Sequence, residues 1–342
     1  MMKQSKINFR GKKVILASTA MAICATATFA LDVGELNKRS DKGFKTQPVI
    51  ENWEAPDINT VPNNLFGEYV KYGKELVEHT YKYIGPEVAD KKMRYAGNNF
   101  ACASCHQEAG TKKYSAPFMT TAISFPQYRN RDESIGSIEE RVNGCMGRSM
   151  NGKELPENGK EMRAIVTYMH WLSQGIPVGA KVKGADFPQV DRKMIMSRAA
   201  DPKAGEKVYK THCVACHGEN GQGVKNEGVS NGYMYPALWG NDSYNTGAGM
   251  YRTIRAADWI VANMPLGASN DHRVLTDAEA YDVAAYINDY DKKRPVKKGR
   301  ESDFPDVKVK VPDSDVGPYL DDKSKIQHKY GPYKGIIIPA KK

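Results

Sequence analysis

The chain has 342 residues, 40% hydrophobic and 26% charged, with 50 Lys plus Arg against 40 Asp plus Glu, a formal charge of +10. That length suits about two domains of ~150 residues. The composition excludes a disordered chain, a membrane bundle, a collagen-like repeat and a disulfide-dense scaffold, and the excess charge invites nucleic acid or an acidic membrane as partner.

The N-terminus changes the charge argument. Lys3, Lys6, Arg10, Lys12 and Lys13 form a basic start without acids, Val14 to Ala27 is mostly apolar, and Thr28-Phe29-Ala30 offers a small-residue cleavage site. This is the order of a secretory signal peptide over residues 1–30, with a run shorter than the ~20 residues of a membrane span. The alternative is an uncleaved anchor. A lipoprotein site at Cys24 is discounted because bulky Ile23 precedes it. Cleavage leaves 45 basic and 40 acidic residues, or +5. Residues 292–342 hold 14 of those bases and 7 acids, so the rest of the mature chain is −2. The basic character belongs to the tail, and nucleic acid is not indicated.

Five cysteines remain. Cys102-Ala-Ser-Cys105-His106 and Cys213-Val-Ala-Cys216-His217 both read C-x-x-C-H, the attachment signature of c-type haem. Two thiols one turn apart add to the vinyl groups on one porphyrin edge, and the adjacent His lies under the iron as proximal ligand. Zinc or a redox disulfide would need no His after each pair. Two covalently attached c-type haems are therefore expected.

Around the first motif, residues 73–81 read as a helix offering Leu76, Val77 and Tyr81, and an insert over 84–100 precedes Cys102. Ser137 to Glu140 is a capping-box signature, so a helix should start there and carry Arg141, Cys145 and Ser149 on one face. Ile138, Val142 and Met146 form the neighbouring ridge. Gly144 and Gly147 flank Cys145, each at a helix cost of about 1 kcal/mol, and are expected to let a flat haem approach. Cys145 reads either as an inert buried thiol or as a thiolate ligand to iron; the flanking residues favour the ligand. Met146, Met150 and His170 are its rivals. Residues 161–172 close the domain, with Ile165, Tyr168, Met169 and Leu172 at core spacing.

Residues 186–202 read as a linker. In the second half a helix over 204–210 leads into Cys213, Met264-Pro265 follows His217 by 47 residues, and residues 277–290 form a closing helix capped by Thr276. Helix, C-x-x-C-H, loop, Met-Pro, helix resembles a class I cytochrome c domain. Met264 is the expected distal ligand of the second haem, with Met234 and Met250 as rivals. The expected fold is mainly α: two such domains in tandem over 31–185 and 203–291, then a basic, proline-rich arm over 292–342 that docks through Tyr319, Tyr330 and Tyr333 or is partly disordered.

Ala96-Gly-Asn-Asn-Phe-Ala-Cys102, Phe125-Pro-Gln-Tyr-Arg129 and the stretch Arg141 to Lys153 resemble the tetrathionate-forming thiosulfate dehydrogenases, periplasmic dihaem cytochromes c. The resemblance implies that two thiosulfates and tetrathionate are interconverted with exchange of two electrons. It implies His106 and Cys145 as axial ligands of the active-site haem, and Arg141, Ser149 and Arg131 as substrate-binding groups. It implies His217 and Met264 on the electron-transfer haem. The redox partner would be a small periplasmic cytochrome or a donor or acceptor linked to membrane quinol. Some relatives carry a ligating Lys just before that Met; here the position is Asn263. Arg129, Arg131, Arg141 and Arg148 are candidates to offset the repulsion of two dianions, although Asp132, Glu133, Glu139 and Glu140 match them in number. The alternatives are a dihaem electron carrier without its own substrate and a Sox-type Cys-ligated sulfur-oxidising cytochrome.

Overall fold

The structure, a computed structural model, describes residues 49–227 and 231–336. The expected signal peptide lies outside them. Asn64 caps helix α1 (Leu65–Glu78) by accepting from the Gly67 amide, and Val70, Leu76 and Val77 give it a buried stripe. The helix starts eight residues earlier than the sequence suggests, and a second short helix, Thr80–Ile84, continues from it. Helix α2 (Ile138–Met146) has the expected capping box: Glu140 N donates to Ser137 Oγ and Ser137 N to the Glu140 carboxylate. Helix α3 (Lys160–Leu172) buries Met162, Ile165, Tyr168, Met169 and Leu172 against α1.

The same plan repeats. Helix α4 (Pro202–His212) runs into the second motif, α5 (Thr253–Asn263) ends at Met264, and α6 (Asp277–Ile287) closes the unit under a Thr276–Glu279 capping box. In both halves a glycine lets the first and last helices touch. A Cβ at Gly73 of α1 would stand 2.1 Å from the Ala164 carbonyl oxygen of α3, and one at Gly205 of α4 would stand 2.0 Å from that of Asp282 in α6. No side chain fits either crossing, so the glycines fix how closely each helix pair packs. The few strands among the described residues are two or three residues long and form two-stranded pairs.

Both halves belong to one compact body that begins at Val49. The expected linker does not behave as a tether. Val190, Ile195 and Ala200 are buried in the second core, and Arg192 and Arg198 pair with Asp258 of α5 and Asp282 of α6.

The arm, as far as residue 336, also packs down and ends in helix α7 (Lys325–Tyr330). Tyr333 is buried, Tyr319 stacks on His328 at 3.6 Å, and Tyr281 Oη donates to the Tyr330 carbonyl. Part of the arm's positive charge is therefore internal: Arg294, Lys310 and Lys329 are all buried. The Lys329 ammonium donates to the Tyr251 carbonyl at 2.9 Å and lies over that ring. Burial pulls its pKa down to about 7, against the attraction of Asp315. In an unfolded chain it would titrate near ~10.4. Between those values the unfolded state holds a proton that the folded state has released, so stability rises with pH across this window and is lost as pH falls. Denaturation curves between pH 7 and 9 should show a rise of up to about 1.4 kcal/mol per pH unit. Lys329→Met should flatten it; an unchanged slope would assign the effect to another group.

Candidate active site

The first C-x-x-C-H motif is tied to α1 by Thr80, whose hydroxyl accepts from the Cys102 amide and donates to the Leu76 carbonyl. His106 faces Phe118, and its Nδ1 lies 2.5 Å from the Ala116 carbonyl. Donating that N–H leaves Nε2 as the free lone pair, the tautomer a metal-bound imidazole needs. The Ala116 carbonyl is presented by an irregular loop in which Glu108, Ala109, Tyr114 and Ala116 all adopt positive φ. Tyr168 of α3 braces it by donating to the Ala109 carbonyl at 3.0 Å.

Helix α2 brings Cys145 to the same place. A cavity of about 310 Å³ is lined by Cys102, Cys105, His106 and Cys145, by apolar Phe100, Met146, Met150, Ile165 and Met169, and by Arg141 and Ser149. Burial pushes the Cys102 and Cys105 thiols up to about 11 and about 12, which suits neutral sulfurs destined for thioether bonds. Cys145 differs. Burial raises it most strongly, but the nearby Arg141, His106 and Arg148 outweigh burial and bring it down to about 6. Arg141 Nη1 is 3.7 Å from its sulfur. A thiolate and an imidazole converge inside an apolar slot, beside two thiols one turn apart. That donor set fits a covalent haem with His106 and Cys145 on its iron.

The α2 helix ends at Met146, so the expected eight-residue stripe is broken before Ser149. The chain tightens there: Arg148 N donates to the Cys145 carbonyl, as does Met150 N. Both domains satisfy the carbonyls that follow. Asn245 donates its side-chain amide to Gly147 O and its backbone amide to Arg148 O, and Asn98 Nδ2 donates to Ser149 O. Ser149 still reaches the cavity, on a turn held from outside. A Cβ at Gly144 would meet Nη2 of half-buried Arg148 at 2.6 Å, so this glycine also gives that guanidinium room.

Arg131 does not line this cavity. It pairs with Asp303 of the arm, lies over the Phe304 ring at 5.0 Å, and lines a small separate crevice with Arg252 and Arg300. Arg129 pairs with Asp132, and His170 is exposed on α3. Arg141 and Arg148 have no acidic partner within ion-pair distance among the described residues.

At the second motif, His217 Nδ1 lies 2.8 Å from the Pro236 carbonyl, and its ring is buried. The surrounding cavity, about 600 Å³, is lined by Cys213, Cys216, His217 and Met264, and also by Met234 and Met250. Asn263 is fully buried and donates to the Tyr114 and Trp259 carbonyls, both at 2.9 Å. It is engaged in packing the domains together. The two cavities share Phe100, Ala101 and Cys105 as wall residues, so the two haem sites are immediate neighbours.

Residues 91–178 match the family described as SoxA/TsdA, cytochrome c domain, and residues 202–291 match Cytochrome c. The chain is 38% identical to a thiosulfate dehydrogenase of Psychrobacter arcticus over 74% of its own length and 71% of the relative's. It is 36% identical to one from Thiomonas intermedia, covering 80% and 79%. The chain belongs to the thiosulfate dehydrogenase family. Among solved structures it matches the thiosulfate dehydrogenase (TsdBA) from Marichromatium purpuratum with a TM-score of 0.62 and 33% identity, over 69% of this chain and 49% of that one. The family fold is thus two cytochrome c domains, and the chain carries two covalent c-type haems.

Two contributors to the first cavity escaped the sequence reading. Arg255 of α5 and Phe187 of the linker both line it. Every other residue of Thr253–Asn263 is buried, which leaves Arg255 as the accessible side chain of that helix.

Proposed function

We propose that this protein is a periplasmic oxidoreductase that interconverts thiosulfate and tetrathionate at the Arg141–Cys145–Ser149 cavity. The observation that carries this reading is a cysteine sulfur 3.7 Å from an unpaired arginine, in the same cavity as the first C-x-x-C-H motif, in a chain of this family. An electron carrier without its own substrate has no use for that pairing. The two haems supply one-electron centres that deliver or collect the two electrons of the net reaction.

In the reductive direction the Cys145 thiolate attacks a central sulfur of tetrathionate. A Cys–S–S–SO₃⁻ bond forms, the central S–S bond breaks, and thiosulfate leaves with the electron pair, as in thiol–disulfide exchange. Two electrons then return the thiolate and release the second thiosulfate. Arg141 and the Ser149 hydroxyl hold sulfonate oxygens beside the sulfur, and the apolar walls keep water from it. His217 and Met264 would hold the second haem, which would supply a one-electron centre toward a small periplasmic cytochrome or a quinol-linked partner. Residues 1–30 direct export. Among the described residues no helix is long and apolar enough to cross a membrane.

The test is a steady-state assay of the purified dihaem protein with thiosulfate plus ferricyanide, and with tetrathionate plus a reduced dye. Turnover in at least one direction is expected; silence in both would end this reading.

A further inference from the structure

We propose that Arg255, reaching over from the second cytochrome domain, is a substrate-binding residue of the first domain's cavity, where it holds the sulfonate that Arg141 does not. The inference rests on the reading above and adds a second cation to it.

Three observations carry it. Arg255 lines the cavity with Cys145, Arg141 and Ser149, and it is the accessible residue on an otherwise buried α5. Its guanidinium lies 3.8 Å from the Phe187 ring centroid, a cation–π contact that holds the group while its N–H donors remain for an oxoanion. Its acidic neighbours are committed elsewhere. Asp258 binds Arg192 and the Val190 amide, and Asp313 binds Arg252 and the Ile254 amide. Asp186 also lines the cavity but pairs with neither arginine. Arg255 is exposed, and Arg252 and Arg141 lie close enough to repel it, so it gains by meeting an anion.

The helix is also anchored for this task. One face of α5 carries Arg255, Trp259 and Asn263 at i, i+4 and i+8. Trp259 Nε1 donates to the Cys105 carbonyl at 3.1 Å, and Asn263 donates to that of Tyr114. The two bonds tie α5 to the first haem motif and to the loop that follows it. The chemistry requires two such sites, because tetrathionate carries a sulfonate at each end and its formation joins two dianions. Arg148 also acts on Cys145 but does not line the cavity, so Arg141 and Arg255 are the two arginines that face it.

The experiment compares the wild-type dihaem protein with Arg255→Ala, Arg255→Lys and Phe187→Leu, in turnover and in calorimetric binding of thiosulfate to the oxidised protein. Arg255→Ala should raise KM for both sulfur anions about 10- to 100-fold, the loss of one charge-assisted oxoanion contact, with kcat changed far less and haem spectra unaltered. Arg255→Lys should recover part of it, and Phe187→Leu should give a smaller rise. Unchanged KM and unchanged thiosulfate binding in Arg255→Ala overturn the inference. If the wild type turns over neither anion but binds thiosulfate, and Arg255→Ala does not, the functional reading fails while the anion site stands. If neither protein binds it, the inference falls as well.

Discussion

Cys145→Gly should abolish thiosulfate and tetrathionate turnover, by at least ~10³-fold in both directions, while both haems stay attached. The attachment thiols, Cys102 and Cys105, sit on a separate turn held by Thr80, so removing a sulfur from α2 does not disturb them. What disappears is the only cysteine in the cavity held as a thiolate: burial opposes its charge, and Arg141, His106 and Arg148 restore it. No neighbouring group replaces that sulfur. Met146 and Met150 line the same cavity, but a thioether neither carries charge nor forms a disulfide-type adduct. Two adjacent glycines in a nine-residue helix would also weaken α2, so Cys145→Ala is the companion variant. Both should show the same loss, with haem stain and mass unchanged and the ferric spectrum shifted by the lost sulfur ligand. Retained turnover in either would remove Cys145 from the chemistry.

The parts of this site that were legible in the sequence are those written in local spacing. A C-x-x-C-H motif needs five consecutive residues, and the α2 capping box needs four; both say what they do without tertiary context. The Arg141–Cys145 contact follows from one helical turn. Ser149 was legible only in part, because α2 ends early and the turn that presents Ser149 is held by Asn245 from nearly a hundred residues away. Gly144 was read as space for haem, whereas the group it admits, Arg148, became apparent only once the helix end was fixed. Arg131 shows the converse. The family resemblance implied a substrate group, but its ion-pair partner, Asp303, lies in an arm whose proline-rich pattern gave no sign of where it packs. The arm's charge was misleading for the same reason: composition counts Lys329 as surface cation, while folding buries it under Tyr251. Contacts between the domains are invisible to periodicity, since an arginine pointing at a distant cavity and one pointing at water look alike along the chain.

Under the proposed mechanism Arg141 would stand between the thiolate and the incoming anion, and its loss should be the second most costly. Its guanidinium stands 3.7 Å from the Cys145 sulfur and lines the space a sulfonate must enter. Without it, a thiolate and a dianion would face one another in a slot whose walls are Phe100, Ile165 and Met169, where water screens little. Arg141→Gln keeps most of the side-chain volume and removes the charge. It should lower kcat/KM by about 10²- to 10³-fold, comparable to removing a principal charge-stabilising donor at other active sites. The loss should appear in kcat as well as KM, because Arg141 acts on the reacting sulfur and not only on the bound anion. Arg255→Ala, by contrast, should act mainly on KM, since Arg255 is not among the main groups acting on Cys145. Arg141→Lys should recover part of the activity, as a point charge without the planar fork that grips an oxoanion. If Arg141→Gln raised only KM, the arginine would be an anchor for substrate, and Arg148 would be left to hold the thiolate.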